Sequence, residues 1–159
     1  HTQKYTLAVL ATVLGGNMSS RLFINVRERE GLAYYINTQP HQTTDTGYLV
    51  TAAGVDHKNL EKSVKLILKE YKSLRDKGLT QKELQKAKDY LKGSLSLSLE
   101  SSDNWAFFYS GQEILEGKIL TPEEKFRKID QVSVRDINKV ARDIFRPEKL
   151  NLALITLST

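Results

Sequence analysis

Two hydrogen-bond donors seven residues apart, Arg27 and Tyr34, are the side chains whose types and spacing could do chemistry. Between them lies Glu28-Arg29-Glu30-Gly31-Leu32-Ala33. Gly31 stands where a helix C-terminus wants a residue able to take positive φ. The aromatic and β-branched run from Ala33 to Thr38 then predicts a strand. Arg27 therefore falls in the last helical turn and Tyr34 at the mouth of the strand, so a guanidinium and a phenol can converge across a tight corner. A purely architectural reading stands beside this one. The helix dipole alone favours Arg27 near a C-terminus, and Arg27 could pair with Glu28 or Glu30. Tyr34 could be a core residue with a hydrogen-bonded hydroxyl. Strand alternation puts Tyr35 on the face opposite Tyr34, as a packing residue.

Other chemistries are harder to build. With no cysteine in 159 residues, neither a disulfide framework nor a thiolate zinc site is possible. The three histidines are His1, His41 and His57, and none has a second histidine four residues on. Two imidazoles on one helical face, as in H-x-x-E-H, are therefore excluded, and no catalytic zinc is expected in this chain. The short turn Gly15-Gly16-Asn17 could meet a phosphate at a helix N-terminus, but no Walker lysine accompanies it. Lys58, Lys62, Lys65, Lys69 and Lys72 make a stripe and supply much of the net charge of +5. The stripe could meet an acidic partner or a nucleic acid. Because Leu60, Val64, Ile67, Tyr71 and Leu74 occupy the opposite face, it reads first as the solvated side of an amphipathic helix.

The elements that must position Arg27 and Tyr34 follow from local signals. Tyr5 to Leu14 predicts a short buried helix broken by Gly15-Gly16. Ser19 or Ser20 is the expected N-cap of the next helix, whose buried stripe is Leu22, Phe23 and Val26. Ala33–Gln39 and Tyr48–Ala53 read as strands joined through Pro40 to Gly47. Asp56 caps a helix running to Lys77 and stopped by Gly78. Thr80-Gln81-Lys82-Glu83 is a capping box for a helix carrying Leu84, Ala87, Leu91 and Leu95. Its end alternates strictly over Ser94–Leu99 but has no turn signal before it, so it is expected to remain helical. Asp103 or Asn104 caps a helix ending near Gly117. Thr121-Pro122 opens another, Ser133 opens a last one, and Leu150 to Leu157 reads as a final strand. About three strands and seven helices, with the helices on one face of an antiparallel sheet, make an α+β domain spanning 1–159. Three strands are few for so apolar a helical layer, so a further strand is expected on the N-terminal side.

These residues carry a resemblance. Leu14-Gly15-Gly16, Met18-Ser19-Ser20-Arg21-Leu22-Phe23, Arg27, Glu30, Gly31-Leu32 and Tyr34 match the second-domain signature of the pitrilysin or insulinase-type zinc metallopeptidases, a group that includes the mitochondrial processing peptidases. Asp45, Gly47, Thr80-Gln81-Lys82-Glu83-Leu84 and Leu91-Lys92-Gly93-Ser94-Leu95 extend the match along the chain. The resemblance implies the α+β fold of a C-terminal domain without metal, lacking its first strand here and inactive alone. Zinc is then expected in the N-terminal domain of the parent protein or of a partner. The parent would be a zinc metalloendopeptidase acting on peptides in a closed chamber. By the same resemblance Arg27 anchors the substrate backbone, and Tyr34 donates to the scissile carbonyl or to the oxyanion developing on it. The implied partners are a peptide and the N-terminal zinc-binding domain, in a homo- or heterodimer, with no membrane and no nucleic acid. An alternative is a non-catalytic structural or substrate-recognition subunit of the same fold. The Gly-Gly-Asn linker is shorter than the glycine-rich loop of the non-catalytic mitochondrial subunit, which favours a bacterial-type peptidase. Beginning at His1 with no initiator methionine, the chain is expected to be a piece of something longer, with a cytoplasmic location and any targeting segment outside it.

Overall fold

The computed structural model describes residues 3–43 and 46–155. Among them six α-helices, one π-helix and a two-stranded antiparallel sheet form an α+β domain, with two short 3₁₀ turns. Helix α1 (Lys4–Gly15) is apolar nearly all round and is buried from Val9 to Gly15. It packs on β1 (Ala33–Gln42) and meets the helical layer of α3 (Gln81–Ser98), α5 (Pro122–Asp130) and α6 (Val134–Ile144). Strand β2 (Gly47–Val55) pairs with β1, and α2 (Leu60–Lys77) packs against α6 and the π-helix. The core gathers Leu10 and Leu14 of α1, Leu22, Val26, Ile36, Leu74, Leu84 and Ile137.

Two of the predicted glycine turns work through contact distance or φ in ways the structure makes explicit. A Cβ on Gly15 would lie 2.3 Å from Thr38 Oγ1, so the end of α1 can approach β1 only with a glycine there. Thr38 Oγ1 in turn lies 2.8 Å from Thr51 Oγ1, which accepts from the Tyr71 hydroxyl at 2.6 Å. That relay satisfies the hydroxyls under the helix. Gly31, at φ +62, ends the π-helix (Phe23–Arg29). Its N–H donates to the Arg27 carbonyl at 3.1 Å, and the Leu32 N–H donates to the Val26 carbonyl at 3.0 Å. The second bond encloses the first, a nested end like a Schellman motif but one residue wider, as suits a π-helix, and Val26 and Leu32 both enter the core beside it.

Most expected helix ends are where local chemistry puts them. Thr80 with Glu83, Thr121 with Glu124 and Ser133 with Asp136 form complete capping boxes. Gly78 and Gly117 close α2 and α4 (Ser102–Glu116) at positive φ. Helix α3 remains helical through Ser98. Several expectations are corrected. Neither Ser19 nor Ser20 caps the next helix with its side chain. Ser20 Oγ donates back to the Asn17 carbonyl at 2.6 Å, and Asn17 Oδ1 accepts from the Ser19 N–H at 2.8 Å. The cap of α4 is Ser101, one turn ahead of Asn104, and not Asp103 or Asn104. The strands are longer than the residue types indicated and shorten the hairpin connection expected over Pro40 to Gly47, of which Thr44 and Asp45 lie outside the described residues.

The final strand is the largest correction. Residues 150–155 form no strand, and Leu152, Leu154 and Ile155 are exposed. The rest of the expected strand, to Leu157, lies outside the described residues. Alternation supplies a face to bury, but a strand also needs a neighbour's N–H and C=O groups. Among the described residues β1 and β2 pair only with each other.

The Gly31 corner is open to test. No atom lies within 4 Å of a Cβ built on Gly31, so Gly31→Val should cost only the left-handed backbone of a β-branched residue, about 1–2 kcal/mol. Urea denaturation would read this as a lowered midpoint, and an unmoved midpoint would contradict the corner.

Candidate functional site

Three departures from regular backbone fall within a dozen residues around Arg27 and Tyr34. The first is the π-helix itself, where an ordinary helical turn was expected. π-Helical turns are rare and concentrate at functional sites. The second is Gly31. The third is a β-bulge at the start of β1: Ala33 pairs with Val55 and Tyr35 with Gly54, leaving Tyr34 as the extra residue. A bulge re-aims the side chain it carries. Regular alternation would put Tyr34 on the same side as buried Ile36 and Thr38, yet it is 75% exposed.

Sequence reasoning therefore placed both residues at the corner but missed what presents them. The guanidinium carbon of Arg27 lies 4.7 Å from the centre of the Phe23 ring, a cation–π contact one π-turn back. Its expected rivals do not take it. Glu30 is paired with Lys62 at 2.7 Å, and no carboxylate comes within 4 Å of Arg27 among the described residues. Hydrogen bonding to Lys62 and its charge, with Lys69 nearby, hold the Glu30 carboxyl below its ordinary value. Tyr34 makes no side-chain hydrogen bond among the described residues and is not a core tyrosine. Arg27 and Tyr34 are both exposed, without a hydrogen bond between them. Tyr35 packs while staying 54% exposed: its ring lies over Gly54, where a Cβ would come within 2.3 Å of it.

The helix carrying Arg27 is anchored at its other end by Arg21. Arg21 Nε donates to Glu83 Oε1 at 2.7 Å, and its Nη2 donates to Glu83 Oε2 at 3.1 Å and to the Gly78 carbonyl at 3.0 Å. The same carboxylate receives the Thr80 N–H at 2.8 Å, so the capping box of α3 and the anchor share one group. Burial pushes the Glu83 carboxyl up, but the hydrogen bonds from Arg21 and Thr80 outweigh it and leave the carboxyl below its usual 4.5. This fork–fork contact was not foreseen, since 62 residues separate its partners.

Metal-ligating residues do not gather here. Among the described residues no group of three or more His, Asp or Glu side chains could hold a metal ion. His41 stacks on Tyr48 with ring centres 4.9 Å apart, and His57 opens a 3₁₀ turn at the surface. His1 lies outside the described residues. Zinc does not fit the described residues. The lysine stripe is accounted for too. Lys58, Lys62, Lys65 and Lys72 each pair with a carboxylate, leaving Lys69 as the one of the five with no such partner within 4 Å among the described residues. No helix among the described residues is long and apolar enough to cross a membrane.

Comparison with known proteins identifies relatives of this chain. The family model described as the peptidase M16 inactive domain matches residues 1–91. A Bacillus subtilis protein named as an uncharacterized zinc protease, YmxG, is 39% identical over 158 residues, covering 99% of this chain and 38% of that protein. A Mycobacterium leprae protein named as an uncharacterized zinc protease is 33% identical, over 89% of this chain and 32% of its own length. The chain thus spans about a third of the length of the curated relatives it matches. Among solved structures, a conserved protein from Enterococcus faecalis superposes with a TM-score of 0.78 at 30% identity, over 89% of this chain and 33% of that one. A peptidase M16 inactive domain from Pseudomonas fluorescens gives a TM-score of 0.75 at 23% identity, over 89% and 34%.

The Arg21 anchor makes a pH-dependent prediction. Because the folded Glu83 carboxyl sits below its unfolded value, its contribution is fully present above about pH 4.5. It is lost as pH falls through the lowered folded value. Glu83→Gln should therefore flatten the acid limb of a stability-versus-pH curve. Arg21→Met should destabilise by about 1–3 kcal/mol at neutral pH, by leaving a half-buried carboxylate without its cation. An acid limb that Glu83→Gln leaves unaltered would remove the anchor.

Proposed function

The chain belongs to the peptidase M16 inactive-domain family, and from that membership we propose that it is the substrate-gripping, non-metal domain of a zinc endopeptidase. The metal and its chemistry belong, in this reading, to a facing N-terminal domain of the same protein or of a partner subunit. This chain supplies two directed donors. Arg27, held off the carboxylates by Phe23 and by the Glu30–Lys62 pair, anchors a backbone carbonyl of an extended peptide. Tyr34, turned outward by the bulge, donates its O–H to the scissile carbonyl as negative charge builds on that oxygen. A donor aimed at developing charge stabilises the transition state more than the ground state, so it accelerates the chemical step.

The observation that carries this reading is the pairing of a solvent-facing guanidinium and phenol across one corner built from a π-helix, a left-handed glycine and a bulge. In the full-length protein Tyr34→Phe should lower kcat on an unstructured peptide by about ten- to a thousandfold with the far-UV spectrum unchanged, the scale of losing one oxyanion donor. An unchanged kcat would leave Tyr34 without a catalytic role.

A further inference from the structure

On the side of the π-helix that does not carry Phe23 and Arg27, an open groove of about 660 Å³ runs between that helix, α2 and the start of α3. Arg21, Asn25 and Arg29, four residues apart, border it, and Phe23 and Arg27 do not. Two carboxylates line it, and both are engaged. Glu83 binds Arg21 and Thr80, and Glu70 accepts from Asn25 Nδ2 at 2.8 Å. Four further cations do not find a carboxylate. Arg29 donates only to Asn25 Oδ1, at 3.1 Å, and Lys77, Lys82 and Lys86 have no ion-pair partner within 4 Å among the described residues. All four are exposed. Along the lysine stripe, by contrast, Lys58, Lys62, Lys65 and Lys72 are each paired with a carboxylate.

We propose that this groove docks an acidic stretch of polypeptide, with Arg29, Lys77, Lys82 and Lys86 meeting successive Asp or Glu carboxylates. The distribution of charge argues for a string of anions over a single one. Its cations come from three elements and stand along the walls. Arg21, the guanidinium with a fork suited to one phosphate, already spends that fork on Glu83 and the Gly78 carbonyl. Asn25, Ser73 and Thr80 add polar walls that a peptide backbone can hydrogen-bond. This inference stands independently of the peptidase reading, since neither Arg27 nor Tyr34 borders the groove.

The test is fluorescence anisotropy with the full-length protein and a labelled twelve-residue peptide of alternating Glu and Ser, against the same peptide with Gln for Glu. Binding of the Glu peptide at low salt, weakening as salt screens exposed charges, is the expected result. Lys77→Gln/Lys82→Gln/Lys86→Gln should weaken it by about tenfold or more, whereas Lys58→Gln/Lys65→Gln/Lys69→Gln in the lysine stripe should change it by no more than about twofold. Matching far-UV spectra establish that both triple variants fold. Equal losses in the two variants, or equal binding of the Gln peptide, would overturn the proposal. So would displacement by inorganic phosphate beyond that of chloride at equal ionic strength, which would mark a small-anion site. Tighter groove-dependent binding of an RNA of equal charge would overturn it in favour of nucleic acid.

Discussion

The left-handed turn at Gly31 is the constraint on which the site depends. It lets two backbone bonds close the π-helix, and it drops Val26 and Leu32 into the core on either side. The carbonyl of Arg27 is one of the two acceptors, so its backbone is held while its side chain stays outside. Two residues beyond the turn the chain enters β1, and the bulge there diverts Tyr34 from the buried face. A longer or looser connection would fix neither the helix end nor the start of the strand.

The rest of the domain supports that corner from behind. Arg21 ties the start of the helical stretch to Glu83 and to the end of α2 through the Gly78 carbonyl. Glycine at position 15 lets α1 lie close on Thr38, which fixes β1 from beneath. Lys88 is buried and donates to the Asp130 carbonyl at 2.8 Å, placing a cation on the last turn of α5. Gln112 bridges α4 to the following loop by exchanging hydrogen bonds with both backbone groups of Leu120.

What was legible in the sequence was whatever local chemistry decides. Hydroxyl-plus-acid pairs three residues apart announced the capping boxes at Thr80, Thr121 and Ser133, and glycines after apolar periodic runs announced the ends at Gly31, Gly78 and Gly117. The amphipathic face of α2 was equally clear. Features that depend on a partner were not readable. Spacing of Leu22 and Val26 suits an α- or a π-turn alike, so the π-helix left no trace in the pattern. A bulge exists only in the register against β2, and alternation therefore leaves Tyr34 on the buried face. The alternating residues from Leu150 onward satisfy half of what a strand needs. The Arg21–Glu83 contact joins positions that sequence spacing gives no reason to connect.

The central claim is that Arg27 and Tyr34 act on one peptide as a unit. A double-mutant cycle measures that directly: kcat/KM of the full-length protein on an unstructured peptide, for Arg27→Met, Tyr34→Phe and both together. The account predicts that the second substitution costs much less once the first is made, with a coupling of about 0.5–3 kcal/mol. Strictly additive losses, or no loss from either change, would contradict it.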